Sequence, residues 1–153
     1  MTNPTKVLFL DIDGVLNSTR SVIAFKGFPH GFDAPNMAKF DHAAIGMIRK
    51  LCEETDASIV LSSSWRILHT VHDCANGLDL PIFDKTPGGG GNRGKQIEEW
   101  LDAHPEVTDY AIVDDDGDML FTQYPRFVKT NCNEGLTYKD YLALKGILGG
   151  VLQ

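Results

Sequence analysis

The stretch KVLFLDIDGVLNS, residues 6–18, constrains the fold more than any other part of the chain. Val7, Leu8, Phe9 and Leu10 are all apolar, and the run stops at Asp11 and Asp13, with Gly14 immediately after. A strand that is apolar at every position is covered on both faces, the condition of a parallel sheet packed between helices. Two further segments fit the same description. SIVLS, residues 58–62, ends in Ser62, and DYAIV, residues 109–113, runs into the acidic cluster DDDGD. LPIF and RFVKT are shorter strand candidates.

Helical segments fall between these strands. Asp41 is placed to cap a helix reaching about residue 54, with Ile45, Ile48, Leu51 and Cys52 on one face. SWRILHTVHDCA and KQIEEWLDAH read as two more, and Thr137 with Asp140 makes an approximate capping box for a last helix. Residues 17–36 lose periodicity and carry Gly27, Pro29, Gly31 and Pro35, so a long loop or small flap is expected there. Alternating strands and helices define an α/β fold with a mainly parallel sheet. In such sheets ligands bind beyond the carboxyl ends of the strands, which is where Asp11, Asp13, Ser62 and the acids at 114–118 accumulate.

The length of 153 residues suits one domain spanning 1–153, with a single good core. A net charge of -7 argues against broad nonspecific affinity for nucleic acid, although it leaves room for a local basic groove. No apolar stretch is long enough to span a bilayer, and MTNPTK lacks the layout of a secretion signal. Cys52, Cys74 and Cys132 are scattered and odd in number, reading as reduced thiols that fill core space. The expected compartment is therefore cytoplasmic, with no membrane and no obligate protein partner.

Clustered carboxylates at one sheet edge repel each other unless a cation lies between them. An all-oxygen donor set favours a hard ion, and few protein ligands with added waters suit Mg²⁺. A structural Ca²⁺ loop is the plainer reading of DDDGD, but its spacing fails. Counted from Asp114, the sixth position is Met119 rather than glycine and the twelfth is Pro125 rather than glutamate. Mg²⁺ at such an edge commonly serves a phosphate. Phosphate ester cleavage needs a nucleophile, an acid for the leaving oxygen and donors to the phosphoryl oxygens. Asp11 suits the first role, Asp13 the second and the Ser62 hydroxyl the third. Arg93 or Lys95 can supply a fixed positive charge, with Ser63 and Gly14 beside the phosphate.

These residues resemble the haloacid dehalogenase (HAD) superfamily. FLDIDGVLN is similar to its first motif, IVLSS to its second, RGKQIEEWL to its third and YAIVDDDGD to its fourth, all in the expected order across residues 7–118. The resemblance implies a Rossmann-like three-layer sandwich with a minimal or absent cap, because neither 17–36 nor 67–92 is long enough for a cap domain. It implies Asp11 as phospho-accepting nucleophile and metal ligand. Asp13 becomes the acid/base and lends its carbonyl to the metal, Ser62 is the phosphoryl donor, and Asp115 is a metal ligand supported by Asp114. Arg93 is preferred over Lys95 for the third motif, since the family's base stands four residues before the first apolar helix residue, here Ile97. VLSSSWR, RGKQIEEWL and NEGLT further resemble the phosphatase domains of Swiss Army Knife RNA repair proteins. That likeness implies a phosphorylated substrate, either a polynucleotide end such as a 3′-phosphate or a small molecule.

Other signals read differently. GGGGNRGKQ approaches a phosphate-binding P-loop, but Gln96 replaces the hydroxyl that would bind Mg²⁺ and no strand directly precedes it. A flexible lip near the site is expected instead. A receiver-type signalling domain also gathers strand-end acids around Mg²⁺, yet its mid-chain strand should end in an acid where this one ends in serines. His69 and His72 have metal-compatible spacing without a third ligand, and are read as surface or half-buried residues. Trp65 and Trp100 are expected as core anchors. Arg66, just past the serine strand, is expected either at a second phosphate or leaving group or in a surface salt bridge.

Overall fold

A computed structural model describes residues 3–88 and 92–149. Five strands form one sheet: β1 (Lys6–Leu10), β2 (Ser58–Leu61), β3 (Ile82–Lys85), β4 (Asp109–Asp114) and β5 (Phe127–Lys129). Their spatial order is β3-β2-β1-β4-β5, and every neighbouring pair is parallel. The expected mainly parallel sheet is thus wholly parallel among the described residues.

The continuous apolar run of β1 divides by alternation between two cores. Leu8 and Leu10 join Ile45, Ile48, Leu51, Leu78 and Leu144 on one face, which is covered by α3 (His42–Thr55), α5 (Val71–Leu78) and α7 (Tyr138–Ile147). Val7 and Phe9 join Val60, Ile112, Ile97 and Trp100 on the other, under α6 (Arg93–Asp102). Phe9 meets Trp100 edge-on, with ring centroids 5.5 Å apart. Helix, sheet and helix make the three layers of an α/β Rossmann-like fold, and no cap domain is inserted among the described residues.

Caps account for the helix boundaries. Asp41 accepts from the amides of Ala43 and Ala44 at the start of α3, and Thr137 and Asp140 form the reciprocal box of α7. The sequence differs from expectation in three places. Residues 17–36 contain α1 (Thr19–Phe25) and the single turn α2 (Ala34–Met37) rather than loop alone. Helix α1 carries no apolar stripe because Ser21 is its one buried residue; a Ser18–Ser21 capping box starts it. The segment read as one helix after β2 is two, α4 (Trp65–Leu68) and α5. His69 is extended between them, and the Thr70 side chain accepts from the Asp73 amide to begin the second. Cys52 and Cys74 are buried as expected, but Cys132 is exposed in the turn after β5 and fills no core. Residues 89–91, the expected glycine lip, lie outside the described residues.

No helix among the described residues is long and apolar enough to cross a membrane.

Candidate active site

Sheet register brings the predicted residues together. Leu10 pairs with both Leu61 and Val113, so the next residues of three adjacent strands, Asp11, Ser62 and Asp114, emerge side by side. The Asp11 amide donates to Val113 O at 3.1 Å and the Ser62 amide to Leu10 O at 3.0 Å, which extends the ladder into the site. Strand order runs outward from β1 in both directions, through β2 on one side and β4 on the other. The site therefore lies at the switch point of the sheet, where such folds open a crevice.

Asp11 and Asp114 are buried, at 5% and 0% exposure, and share one cation. Nη1 of Arg93 lies 3.1 Å from Asp11 Oδ1 and 2.8 Å from Asp114 Oδ2. Of the two third-motif candidates, Arg93 reaches the carboxylates, while Lys95 is exposed on α6 with no ion pair among the described residues. Arg93 is aimed by the start of its helix. Asn92 accepts from the Lys95 amide at 2.9 Å, and Asp118 Oδ2 accepts from the Arg93 amide at 3.0 Å. Gly94 permits the approach, since a Cβ there would lie 2.6 Å from the Leu120 nitrogen.

Asp115 completes the group. One carboxylate oxygen from each of Asp11, Asp114 and Asp115 lies within 4.8 Å of the others. Gly14 makes the room: it has φ +83°, and a Cβ would stand 2.2 Å from Asp115 Oδ2. The Gly14 amide is bonded to Asn17 Oδ1 at 3.1 Å and its carbonyl accepts from Thr130 Oγ1 at 2.7 Å. Both polar groups of the Gly14 backbone are therefore engaged within the protein.

Burial and mutual repulsion oppose full ionisation of this cluster. Burial first, and then the charge of Asp114, raise Asp11 well above the usual carboxylate range, with Arg93 opposing only in part. Burial likewise raises Asp114, against the lowering effects of Arg93 and the Asp116 amide. Burial disfavours the Arg93 charge, but Asp11 and Asp114 outweigh it and hold the guanidinium protonated. Ionised together, three carboxylates against one guanidinium would leave negative charge that a divalent cation would neutralise. The donors are all oxygen, as Mg²⁺ requires.

Asp13 stands apart from that group, exposed at the rim. Its Oδ1 accepts from Asn17 Nδ2 at 2.9 Å and from Trp65 Nε1 at 3.1 Å. The Ser62 hydroxyl is fully buried and has no partner among the described residues, an orphan that an incoming oxygen would satisfy. Ser63 is also buried, and its Oγ accepts from the Trp65 amide at 3.2 Å.

Arg66 is in neither expected place. It is 6% exposed, and its five N–H donors go to the carbonyls of Thr86, Ser62, Ser63 and Pro87 and to Gln96 Oε1. A saturated guanidinium has no donor left for phosphate, so Arg66 fixes the turn after β2 to the exit of β3.

Sequence reasoning missed Asn17, left Asp118 among the strand-end acids without a role, and read Trp65 only as core. Asn17 sat within the first motif, four residues after Asp13, as its signal. Asp116 is exposed, and its amide donates to Asp114 Oδ1 at 2.9 Å.

A family model described as the HAD domain in Swiss Army Knife RNA repair proteins matches residues 7–141. No curated protein and no solved structure matches the chain.

Proposed function

The chain belongs to the family of HAD domains found in Swiss Army Knife RNA repair proteins, and on that premise we propose that it is a Mg²⁺-dependent phosphomonoester hydrolase working through an aspartyl-phosphate on Asp11. Membership supports phosphatase-type hydrolysis in general. The finer reading is carried by one observation: Asp11 and Asp114 share the Arg93 guanidinium and cluster with Asp115, at a sheet edge where the buried Ser62 hydroxyl has no partner among the described residues.

Asp11, Asp114 and Asp115 would hold the ion, together with the Asp13 carbonyl. When bound, Mg²⁺ supplies charge neutralisation at the phosphoryl oxygens. An Asp11 carboxylate oxygen attacks phosphorus as the bond to the leaving oxygen breaks, and Asp13 gives its proton to that oxygen. Asp13, now a carboxylate, takes a proton from water, whose oxygen attacks the same phosphorus. The bond to Asp11 breaks, releasing phosphate and the free carboxylate. Ser62 Oγ and Arg93 donate to the phosphoryl oxygens through both steps.

The substrate class we favour is the 3′-phosphate of a polynucleotide end or a nucleotide, in keeping with the family's description. Free thiols at Cys52, Cys74 and Cys132 suit a reducing, cytoplasmic setting. The test is release of inorganic phosphate from phosphorylated oligonucleotides, nucleotides and small esters, with Mg²⁺ or with chelator. Mg²⁺-dependent release by the wild type and none by Asp11→Asn is expected. Release that survives chelation, or survives in Asp11→Asn, overturns the reading.

A further inference from the structure

A cleft of about 440 Å³ opens beside Asp13, and neither Asp11 nor Asp114 is among its lining residues. Phe28, Pro29 and His30 line it from the chain that follows α1, and Trp65, Leu68 and His69 line it from α4 and its end. Ser64 is the remaining polar side chain in the lining. Its volume falls in the range of small-ligand pockets, about 300–1,000 Å³.

Two observations say what belongs there. The first is position: Asp13 lines the cleft, and in the mechanism above Asp13 protonates the leaving oxygen. Whatever is attached to that oxygen must lie in the space Asp13 faces. The second is chemistry. Phe28 is 46% exposed and Leu68 85% exposed at the mouth, large apolar groups that water contacts in the free protein. His69 stacks on Trp65 with ring centroids 4.9 Å apart, extending an aromatic surface toward solvent. No lysine or arginine lines the cleft among the described residues, so it does not suit a second phosphate or a carboxylate. His30, His69 and Ser64 place hydrogen-bonding atoms around the apolar surface, which a purely aliphatic occupant would leave unmatched.

We infer that this cleft receives the leaving group of the ester, and that its occupant is a planar, uncharged heteroaromatic ring, a nucleobase, held between Phe28 and the surface made by Leu68, Trp65 and His69. The inference rests on the phosphatase reading and assigns its leaving-group specificity to residues outside the catalytic cluster. Base–aromatic stacking is tolerant of sequence, so the cleft would select a base without selecting which one.

The experiment compares kcat/KM for a nucleoside 3′-phosphate, glycerol phosphate and hexyl phosphate in the wild type, Phe28→Ala and Leu68→Ala. Both side chains are exposed, so truncation spares the core. The wild type should prefer the nucleoside ester over both others, and the ratio of nucleoside ester to glycerol phosphate should fall about tenfold in Phe28→Ala, the scale of one lost stacking contact. An unchanged ratio in both variants overturns the inference, as does equal preference for hexyl phosphate. A 3′-phosphorylated oligonucleotide run alongside separates a polymer end from a free nucleotide as the source of the base. Calorimetric titration of the dephosphorylated nucleoside gives a readout independent of turnover. Saturable binding weakened by Phe28→Ala supports the cleft, and no binding overturns it. If no ester is hydrolysed at all, the phosphatase reading fails while this titration still decides the cleft.

Discussion

Trp65 Nε1 donates to Asp13 Oδ1 at 3.1 Å, so the carboxylate at the rim of the site is held by an indole anchored in the core. The indole packs against Phe32 and Phe40, with centroids 5.4 and 5.7 Å away. Trp65→Phe keeps a ring in that packing and removes the donor. We expect kcat to fall about tenfold, the scale of one hydrogen bond to a charged group. The loss should be larger for alkyl esters than for aryl esters, whose leaving oxygen needs no proton. Equal losses on both would assign the effect to packing.

Ser62→Ala separates function from stability. The Ser62 hydroxyl is buried without a partner among the described residues, so its removal deprives them of no hydrogen bond. Thermal melting should be unchanged or slightly raised, while kcat falls about 10²-fold for loss of a phosphoryl donor. A variant that melts much earlier would mean that the hydroxyl is bonded in solution.

The carboxylate pair predicts how stability depends on pH. Asp11 and Asp114 are both raised, by burial first. Above about pH 4 the unfolded chain releases these protons while the folded one retains them. Their contribution to stability is present below the unfolded value and is lost as pH rises through the folded one. Metal-free protein should therefore lose stability along that rise, and the gain in Tm on adding Mg²⁺ should be near zero at pH 4 and grow toward pH 7. In Asp11→Asn the metal-free decline should be shallower. A Mg²⁺-induced shift that ignores pH would contradict the assignment.

Gly14→Ala tests the close approach of the first and fourth motifs. A Cβ at φ +83° would strain the backbone and displace the Asp115 carboxylate, which it would approach to 2.2 Å. A destabilisation of about 1–3 kcal/mol is expected from the backbone alone. Mg²⁺ affinity should fall with it, measured by titration of the folded variant. Unchanged affinity would remove Asp115 from the metal site.

Salt dependence tests the polynucleotide end. With Arg66 and Arg93 bound to protein partners, Arg20 and Lys26 are the exposed cations around α1, whose chain continues into the cleft lining at Phe28. Changing both to glutamine should lower kcat/KM for a 3′-phosphorylated oligonucleotide and flatten its logarithmic salt slope by about 0.7 per lost phosphate contact. A small ester should be little affected. Equal slopes before and after would leave a small-molecule phosphatase.

The parts legible in the sequence were those set by patterns short enough to be self-contained. β1, β2 and β4 announced themselves because strands covered on both faces are apolar throughout, and Asp11, Ser62 and Asp114 follow from where those runs stop. Helix α1 was not legible, because seven residues lying on the surface bury too little to leave a stripe. The break at His69 depends on a single extended residue and a threonine cap, both compatible with a helical pattern. The role of Arg66 was hidden for a different reason. Four of its five partners are backbone carbonyls, which every residue carries, so no spacing of side chains could reveal them. The Trp65–Asp13 bond spans 52 positions and joins two residues that each had a sufficient local explanation.

The Asp11 amide sits inside the sheet ladder, bonded to Val113 O between two flanking strands. Such an amide exchanges its hydrogen with solvent only when the central sheet itself comes apart, so its exchange rate should report the global free energy of unfolding rather than a local opening. A nucleophile anchored this way, as proposed for Asp11, would not reshape itself around different molecules. Any accommodation of varied substrates must then be made by the chain around Phe28 and Leu68, where side chains can move while the sheet stays shut.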